Sequence, residues 1–360
     1  MNQSRFRCIF YVLVLGLFVA FASACLHTPS ETMKKPPEKI SETRVTFLAV
    51  GDIMISRGVA NIIARTNNPL APFKNMESVF RSTDFNFGNL ETPISDRSIY
   101  PEKKLVFNML ARNIAGLKTY NFRVLNLANN HALDQKLAGL QNTRKILTEN
   151  NLTFLGVGDN LEQAWQPKII DVKGVKIGFV GASYASENDG GATRNNYVAR
   201  IEDVNRLKAA IEKLKADGAD FVVATMHAGV EYTRQPDQPQ VKFARAAIDY
   251  GADIVIGAHP HWIQTFEQYK SKYIFYSLGN FIFDQDWSRD TKEGLTLKIA
   301  INHRKSSETN SPTAGTRIEQ IELIPVIIEH YSTPRQANDV EARQILAKIG
   351  ANERFLIKQP

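Results

Sequence analysis

From Val45 onward one pattern recurs: a short apolar run halts at small or polar residues, and an amphipathic stretch follows. Val45–Val50 (VTFLAV) reads as a buried strand ended by Gly51-Asp52. Asp84–Phe87 is a weaker strand that ends at Gly88-Asn89-Leu90-Glu91, and Phe122–Leu127 runs into Ala128-Asn129-Asn130-His131. Val175–Val180, Phe221–Thr225, Asp253–Ile256 and Lys272–Ser277 read as further strands. Gln135–Glu149, Val204–Lys215 and Val241–Tyr250 carry apolar residues at helical spacing, with Leu207, Ile211 and Leu214 the clearest stripe. Strands alternating with helices specify an α/β domain. Two later β-rich runs, Leu295–Asn302 and Ile318–Ile328, flank a polar stretch, Arg304–Arg317, that reads as an exposed loop. No repeat or composition break divides residues 45–330, so one domain covers them, and residues 331–360 read as a helical C-terminal extension.

The polar residues gather where the strands end. Asp52, Asn89, Glu91, Asn130, His131, His227, His259 and His261 each lie just past a strand's carboxyl end, the edge at which open α/β sheets bind ligands. Four of the seven histidines fall in this set. Singly each has an ordinary explanation, since an aspartate after a strand caps turns and helices. His259-Pro260-His261 resists that explanation, because two imidazoles flanking a proline are fixed in orientation. Oxygen and imidazole donors converging from several loops suit a hard or borderline divalent cation.

Composition removes several alternatives. With 43% hydrophobic and 22% charged residues among 360, the chain is not disordered, collagen-like or a coiled coil. It contains no G-x-x-x-x-G-K-[ST] loop, no complete G-x-G-x-x-G and no G-x-S-x-G elbow. The net charge of +7 is dispersed, and no aromatic-interleaved basic stretch marks a nucleic-acid partner.

Both cysteines, Cys8 and Cys25, lie within residues 1–25. Arg5 and Arg7 precede an apolar run, Cys8–Ala22, that ends in Ala22-Ser23-Ala24-Cys25. A basic start, an apolar stretch and a small-residue exit describe a secretory signal. The competing reading, a retained anchor, needs roughly 20 apolar residues for a full span. Ala22-Ser23-Ala24 fits ordinary signal peptidase, while small residues followed at once by Cys25 resemble a bacterial lipobox that would lipidate Cys25. Residues 26–44, rich in Pro, Ser, Thr and Lys, read as a flexible tether. Removing Arg5 and Arg7 takes the charge from +7 to +5 and leaves a body without cysteine. That body has no disulfide, thiolate nucleophile or thiolate ligand. The start places it outside the cytoplasm, anchored to the membrane through its N-terminus or, after plain cleavage, secreted or periplasmic.

Six motifs in order resemble the CapA family of bacterial capsule-biosynthesis proteins, linked to poly-γ-glutamate synthesis and export. They are Val50-Gly51-Asp52-Ile53-Met54, Gly88-Asn89-Leu90-Glu91-Thr92-Pro93, Ala128-Asn129-Asn130-His131-Ala132-Leu133-Asp134, His227-Ala228-Gly229-Val230-Glu231-Tyr232, Gly257-Ala258-His259-Pro260-His261 and Ser277-Leu278-Gly279-Asn280-Phe281. The resemblance covers about residues 45–300. That family is in turn similar to calcineurin-like metallophosphoesterases. This implies a four-layer αββα sandwich with a divalent metal (Mn, Zn, Fe or Mg) at the sheet edge. Carried over residue by residue, it implies Asp52, Asn89, Glu91, Asn130, His227, His259 and His261 around the metal. It implies His131, Asp52 and Glu91 in catalysis, and Asn130, Glu231, Tyr232 and Asn280 in substrate contact.

Two positions depart from the phosphoesterase pattern. Its D-x-H opening appears as Asp52-Ile53-Met54, a thioether replacing one ligand, and its bridging aspartate is Asn89, a neutral amide. Two adjacent dications need a bridging anion to offset their repulsion. A single-metal site of Asp52, Glu91 and histidines is therefore expected, with Glu91 swinging in as the substitute carboxylate. With the secretory start, the resemblance implies an extracytoplasmic component of capsule or poly-γ-glutamate-type polymer synthesis or export. Its implied partners are an anionic polymer or its precursor and membrane synthase or export subunits. A metal-dependent hydrolase or transferase, a plain phosphoesterase and a non-catalytic polymer- or synthase-binding protein on the same fold all fit the residues.

Overall fold

The computed structural model describes residues 40–99, 105–184, 196–306, 314–351 and 353–358. The expected signal stretch, Cys25 and residues 26–39 of the expected tether lie outside the described residues. Among the described residues, no helix is long and apolar enough to cross a membrane.

The strands in chain order are β1 (Ile40–Ile53), β2 (Phe85–Leu90), β3 (Phe122–Asn126), β4 (Thr153–Leu155), β5 (Lys168–Val172), β6 (Val175–Ser183), β7 (Phe221–His227) and β8 (Ile254–Ala258). They continue as β9 (Phe266–Tyr269), β10 (Lys272–Phe275), β11 (Asn280–Ile282), β12 (Glu293–Ser306), β13 (Gly315–Glu329), β14 (Thr333–Gln336) and β15 (Phe355–Lys358). The longer helices are α1 (Arg57–Thr66), α2 (Lys136–Glu149), α3 (Val204–Ala216), α4 (Gln238–Tyr250) and α5 (Asp339–Lys348). One sheet runs β14-β13-β12-β1-β2-β3-β4, with β11 added beside β1 and β15 beside β13. The other runs β5-β6-β7-β8-β10-β9. β1 to β4 pair in parallel, as do β6, β7, β8 and β10, so the strand ends that carry polar residues in each sheet share an edge.

Side-chain alternation makes four layers. Along β1, Val45, Phe47 and Ala49 enter the apolar core between the sheets, while Leu48 and Val50 enter the core under α1 and α2. Along β7, Phe221 and Val223 point inward and Val222, Ala224 and Met226 pack outward with α3 and α4. Phe85 bridges the sheets, stacked on Phe47 at 5.0 Å and edge-on to Phe179 at 6.3 Å. The result is the αββα sandwich, as the resemblance implies.

Local chemistry sets the helix limits. α4 starts three residues before the apolar stripe because Asp237 and Gln240 form a reciprocal capping box with proline in the first turn. It stops at Gly251, whose φ of 107° suits glycine.

Three expectations need revision. Residues Ile40–Arg44, read as tether, are the first five residues of β1 and pair with β12. The C-terminal extension is helical only in α5; β14 and β15 flank it and both pair with β13. Pro334 disguises β14, yet proline is accepted on an edge strand where no ladder partner needs its missing N–H. The expected loop Arg304–Arg317 shortens, because β12 runs to Ser306 and β13 begins at Gly315.

Candidate functional site

Register places the first ligands. Asp52 on β1 lies abreast of Asn280 on β11 and Asn89 on β2, and Asn89 abreast of Asn126 on β3. This close approach requires Gly51, since a Cβ there would sit 1.9 Å from the Gly279 carbonyl oxygen. From the second sheet, His227 ends β7, and His259 and His261 follow β8. Both latter residues adopt left-handed backbone, φ 105° and 58°, as does Tyr232 at 63°. Such strain persists only where neighbours over-determine the chain. The Tyr232 amide donates to the Pro260 carbonyl at 2.8 Å. Arg234 donates to the Ile263 carbonyl at 2.8 Å, lies 5.0 Å over the Trp262 ring and pairs with Asp290. Lys348 of α5 joins Asp290 and the fully buried Glu293, so the C-terminal extension braces the histidine loop.

One hydrogen-bonded network then links the expected residues. The Asn89 amide donates to Asp52 Oδ1 at 2.8 Å and to His227 Nδ1 at 3.1 Å, while Asn126 donates to Asn89 Oδ1 at 2.9 Å. His227 Nε2 lies 2.8 Å from Asn130 Oδ1 and 3.1 Å from His259 Nδ1. The His259 amide donates to Asp52 Oδ2 at 3.2 Å. His261 Nδ1 meets Asn280 Oδ1 at 2.9 Å. His131 Nδ1 meets Asp134 Oδ2 at 2.7 Å, its ring stacks on Phe107 at 3.9 Å, and its Nε2 faces Glu91 at 3.7 Å.

Glu91 is the exception. It is 0% exposed, and neither carboxylate oxygen has a hydrogen-bond partner. Its carboxylate faces the His131 and His227 ring nitrogens at 3.7 and 3.8 Å and stands beside the Asp52 carboxyl. An orphaned buried carboxylate is costly unless something binds it. Two groups here are spaced to hold a cation: Glu91, His227 and His259, and Asp52, Glu91 and His261, with ligand atoms within 4.8 Å of one another in each. A buried carboxylate without partners beside neutral imidazoles is a donor set that fits a divalent metal.

The electrostatics agree. Burial pushes the Asp52 carboxyl up to about 7, partly offset by the bonds from Asn89 and the His259 amide. Burial, then the Asp52 charge, holds Glu91 well above the usual carboxylate range. Burial lowers His261 to about 3 and drives His227 and His259 well below the usual imidazole range. The site is thus a buried cluster of neutral imidazoles and carboxyls reluctant to ionise.

The structure brings Asp52, Asn89, Glu91, Asn130, His131, His227, His259, His261 and Asn280 into this one cluster. Glu231 is exposed and Tyr232 half-buried at its rim, where Gln285 donates to the Tyr232 hydroxyl at 3.3 Å. Burial and the Glu231 charge push the Tyr232 phenol up to about 12. Asn89, expected as a ligand, donates its NH2 group to Asp52 and His227 and accepts from Asn126 through its oxygen, so it ties three strands of the site together. Met54 is buried in the apolar core, its sulfur accepting the Ser56 amide at 3.1 Å. Asn126, Asp134 and Phe107 were not singled out by sequence; only Asp134 had a signal, three residues beyond His131. Arg57, whose guanidinium lies 4.7 Å over Phe107 and pairs with Asp284, had none.

Comparison with known proteins follows the same outline. A family model described as bacterial capsule synthesis protein PGA_cap matches residues 46–285. The chain is 31% identical over 351 residues to the capsule biosynthesis protein CapA of Bacillus anthracis, covering 94% of this chain and 81% of that protein. It is 32% identical over 315 residues to the PGA biosynthesis protein CapA of Bacillus subtilis, covering 86% and 78%. Among solved structures, the calcineurin-like phosphoesterase YfkN of Bacillus subtilis superposes with a TM-score of 0.50 at 13% identity, covering 86% of this chain and 97% of that one. This last likeness is one of fold.

Proposed function

The chain belongs to the bacterial capsule synthesis protein family, and from that premise we propose that it is an extracytoplasmic component of capsule or poly-γ-glutamate-type polymer synthesis or export, working through the strand-edge site. The observation that carries the reading is convergence: residues from all six family-like motifs meet in one buried cluster around the partnerless Glu91. Asp52, Glu91, His227, His259 and His261 would hold a divalent cation, with Asn130 Oδ1 beside them. When bound, such a cation polarises a phosphoryl or carbonyl oxygen and activates a nucleophile.

The chain's own residues do the rest. Asp134 fixes the His131 ring so that Nε2 faces the site, the posture of a group that hands over a proton. Asn280 Oδ1 holds His261 at Nδ1, leaving its Nε2 for the site, and Asn89 holds the His227 ring in place at Nδ1. Glu231 and Tyr232 stand at the rim, where a polymer chain or its precursor is contacted. The N-terminal segment supplies the address, and Cys25 the anchor.

Complementation tests the reading. A strain lacking the gene should regain surface polymer with the intact chain and not with Glu91→Gln or His259→Ala chains accumulated to the same level. Unchanged surface polymer after clean deletion overturns the polymer role. Full rescue by both variants makes the protein a binding component whose metal ligands are dispensable. A Cys25→Ser chain that stays membrane-bound removes the lipid anchor.

A further inference from the structure

We propose that Glu91 is the shared carboxylate of a two-cation centre, taking from position 91 the bridging place that the amide of Asn89 cannot fill. The inference rests on the metal-binding reading above and reverses the single-metal expectation drawn from sequence. Asn89 is engaged on both ends, its NH2 by Asp52 and His227 and its oxygen by Asn126, and as a neutral amide it brings no charge between two cations. Glu91 lies two residues on, just past the end of β2, with its carboxylate among His131, His227 and Asp52, and it reaches further by one methylene.

Two independent observations converge on Glu91. Among the described residues it is the carboxylate with both oxygens buried and without a hydrogen-bond partner. It also belongs to both candidate cation groups, while Asp52 and His261 serve one and His227 and His259 the other. A carboxylate has two oxygens and can give one to each cation, supplying between them the negative charge that a neutral amide lacks.

The two sides are unequal. Asp52, Glu91 and His261 offer two carboxylates and suit a hard ion such as manganese or magnesium, whereas Glu91 with His227 and His259 is imidazole-rich and suits zinc or iron. The side with two carboxylates should fill first with Mn(II).

The test uses the full chain, stripped with chelator, loaded with Mn(II), desalted, and examined by elemental analysis and electron paramagnetic resonance. The intact chain is expected to hold about two ions with an exchange-coupled spectrum. Glu91→Gln is expected to hold about one at most, with the six-line spectrum of an isolated ion. Asp52→Asn, which leaves Glu91 in place, is expected to keep about one ion on the imidazole side and guards against a fold defect particular to position 91. Saturation of the intact chain by one ion, or a coupled pair persisting in Glu91→Gln, overturns the shared carboxylate. No Mn(II) uptake by the intact chain overturns it and the metal reading together, while the polymer role stands or falls on the complementation result alone.

Discussion

Loading the site with a divalent cation should expel protons, and the count follows from the burial of its ligands. A ligand must be deprotonated to bind a cation. With its carboxyl at about 7, Asp52 is mostly protonated at pH 6 and mostly ionised at pH 8. Glu91, also raised, adds up to one more. The three histidines are already neutral and add none, whereas three ordinary imidazoles would add about two at pH 6. Loading at pH 6 should therefore release about one to two protons, and affinity should rise about tenfold or more per pH unit before levelling off. Stability of the stripped protein is linked to the same groups. Because the Asp52 pKa is raised on folding, its penalty is absent below 3.8, grows to about 4 kcal/mol by pH 7 and stays there until metal relieves it. His261, lowered on folding, runs the other way, its penalty full below about 3 and gone above 6.5. The assay is calorimetric titration of Mn(II) into stripped protein in two buffers of different ionisation enthalpy at pH 6, 7 and 8. No proton release at pH 6 means the carboxyls are already ionised, and three or more protons means the histidines are charged. Either result refutes the buried neutral site.

Other substitutions probe the frame. Gly51→Ala puts a methyl against the Gly279 carbonyl and should cost about 2–3 kcal/mol in denaturant unfolding, with weaker Mn(II) binding because Asp52 and Asn280 are driven apart. Phe179→Ala empties the contact between the sheets and should lower stability by about 3–5 kcal/mol, read as a shift in urea midpoint. Glu293→Gln weakens the buried partner of Lys348 and Arg289 and should cost about 1–3 kcal/mol, with faster amide exchange in α5.

The parallel strands and long helices were legible because each spans two or more periods of its apolar pattern, as in Val45–Val50 or Leu207, Ile211 and Leu214. β4, β9 and β11, of three or four residues, are too short to show a period and exist through their neighbours. The opening of β1, Ile40–Arg44, is mostly exposed, so its composition looked like linker; the ladder to β12 makes it strand. The clustering of Asp52, Glu91 and the histidines was legible because strand ends are where such residues collect. The network around Asn89 was not, since it depends on Asn126 reaching across from β3 to hold one amide oxygen. No spacing in sequence encodes that contact.

β1 has a consequence for reach. It carries Ile40 at one end and Asp52 near the other, and at about 3.3 Å per residue these lie about 40 Å apart. Whatever grips the chain upstream of Ile40 grips it at the pole opposite the ligands. The strand is a rigid mast, and the edge that carries Asp52 and the clustered histidines sits at its top. The polar cluster stands about 40 Å from Ile40, the first described residue of the sheet, a distance fixed by the sheet itself.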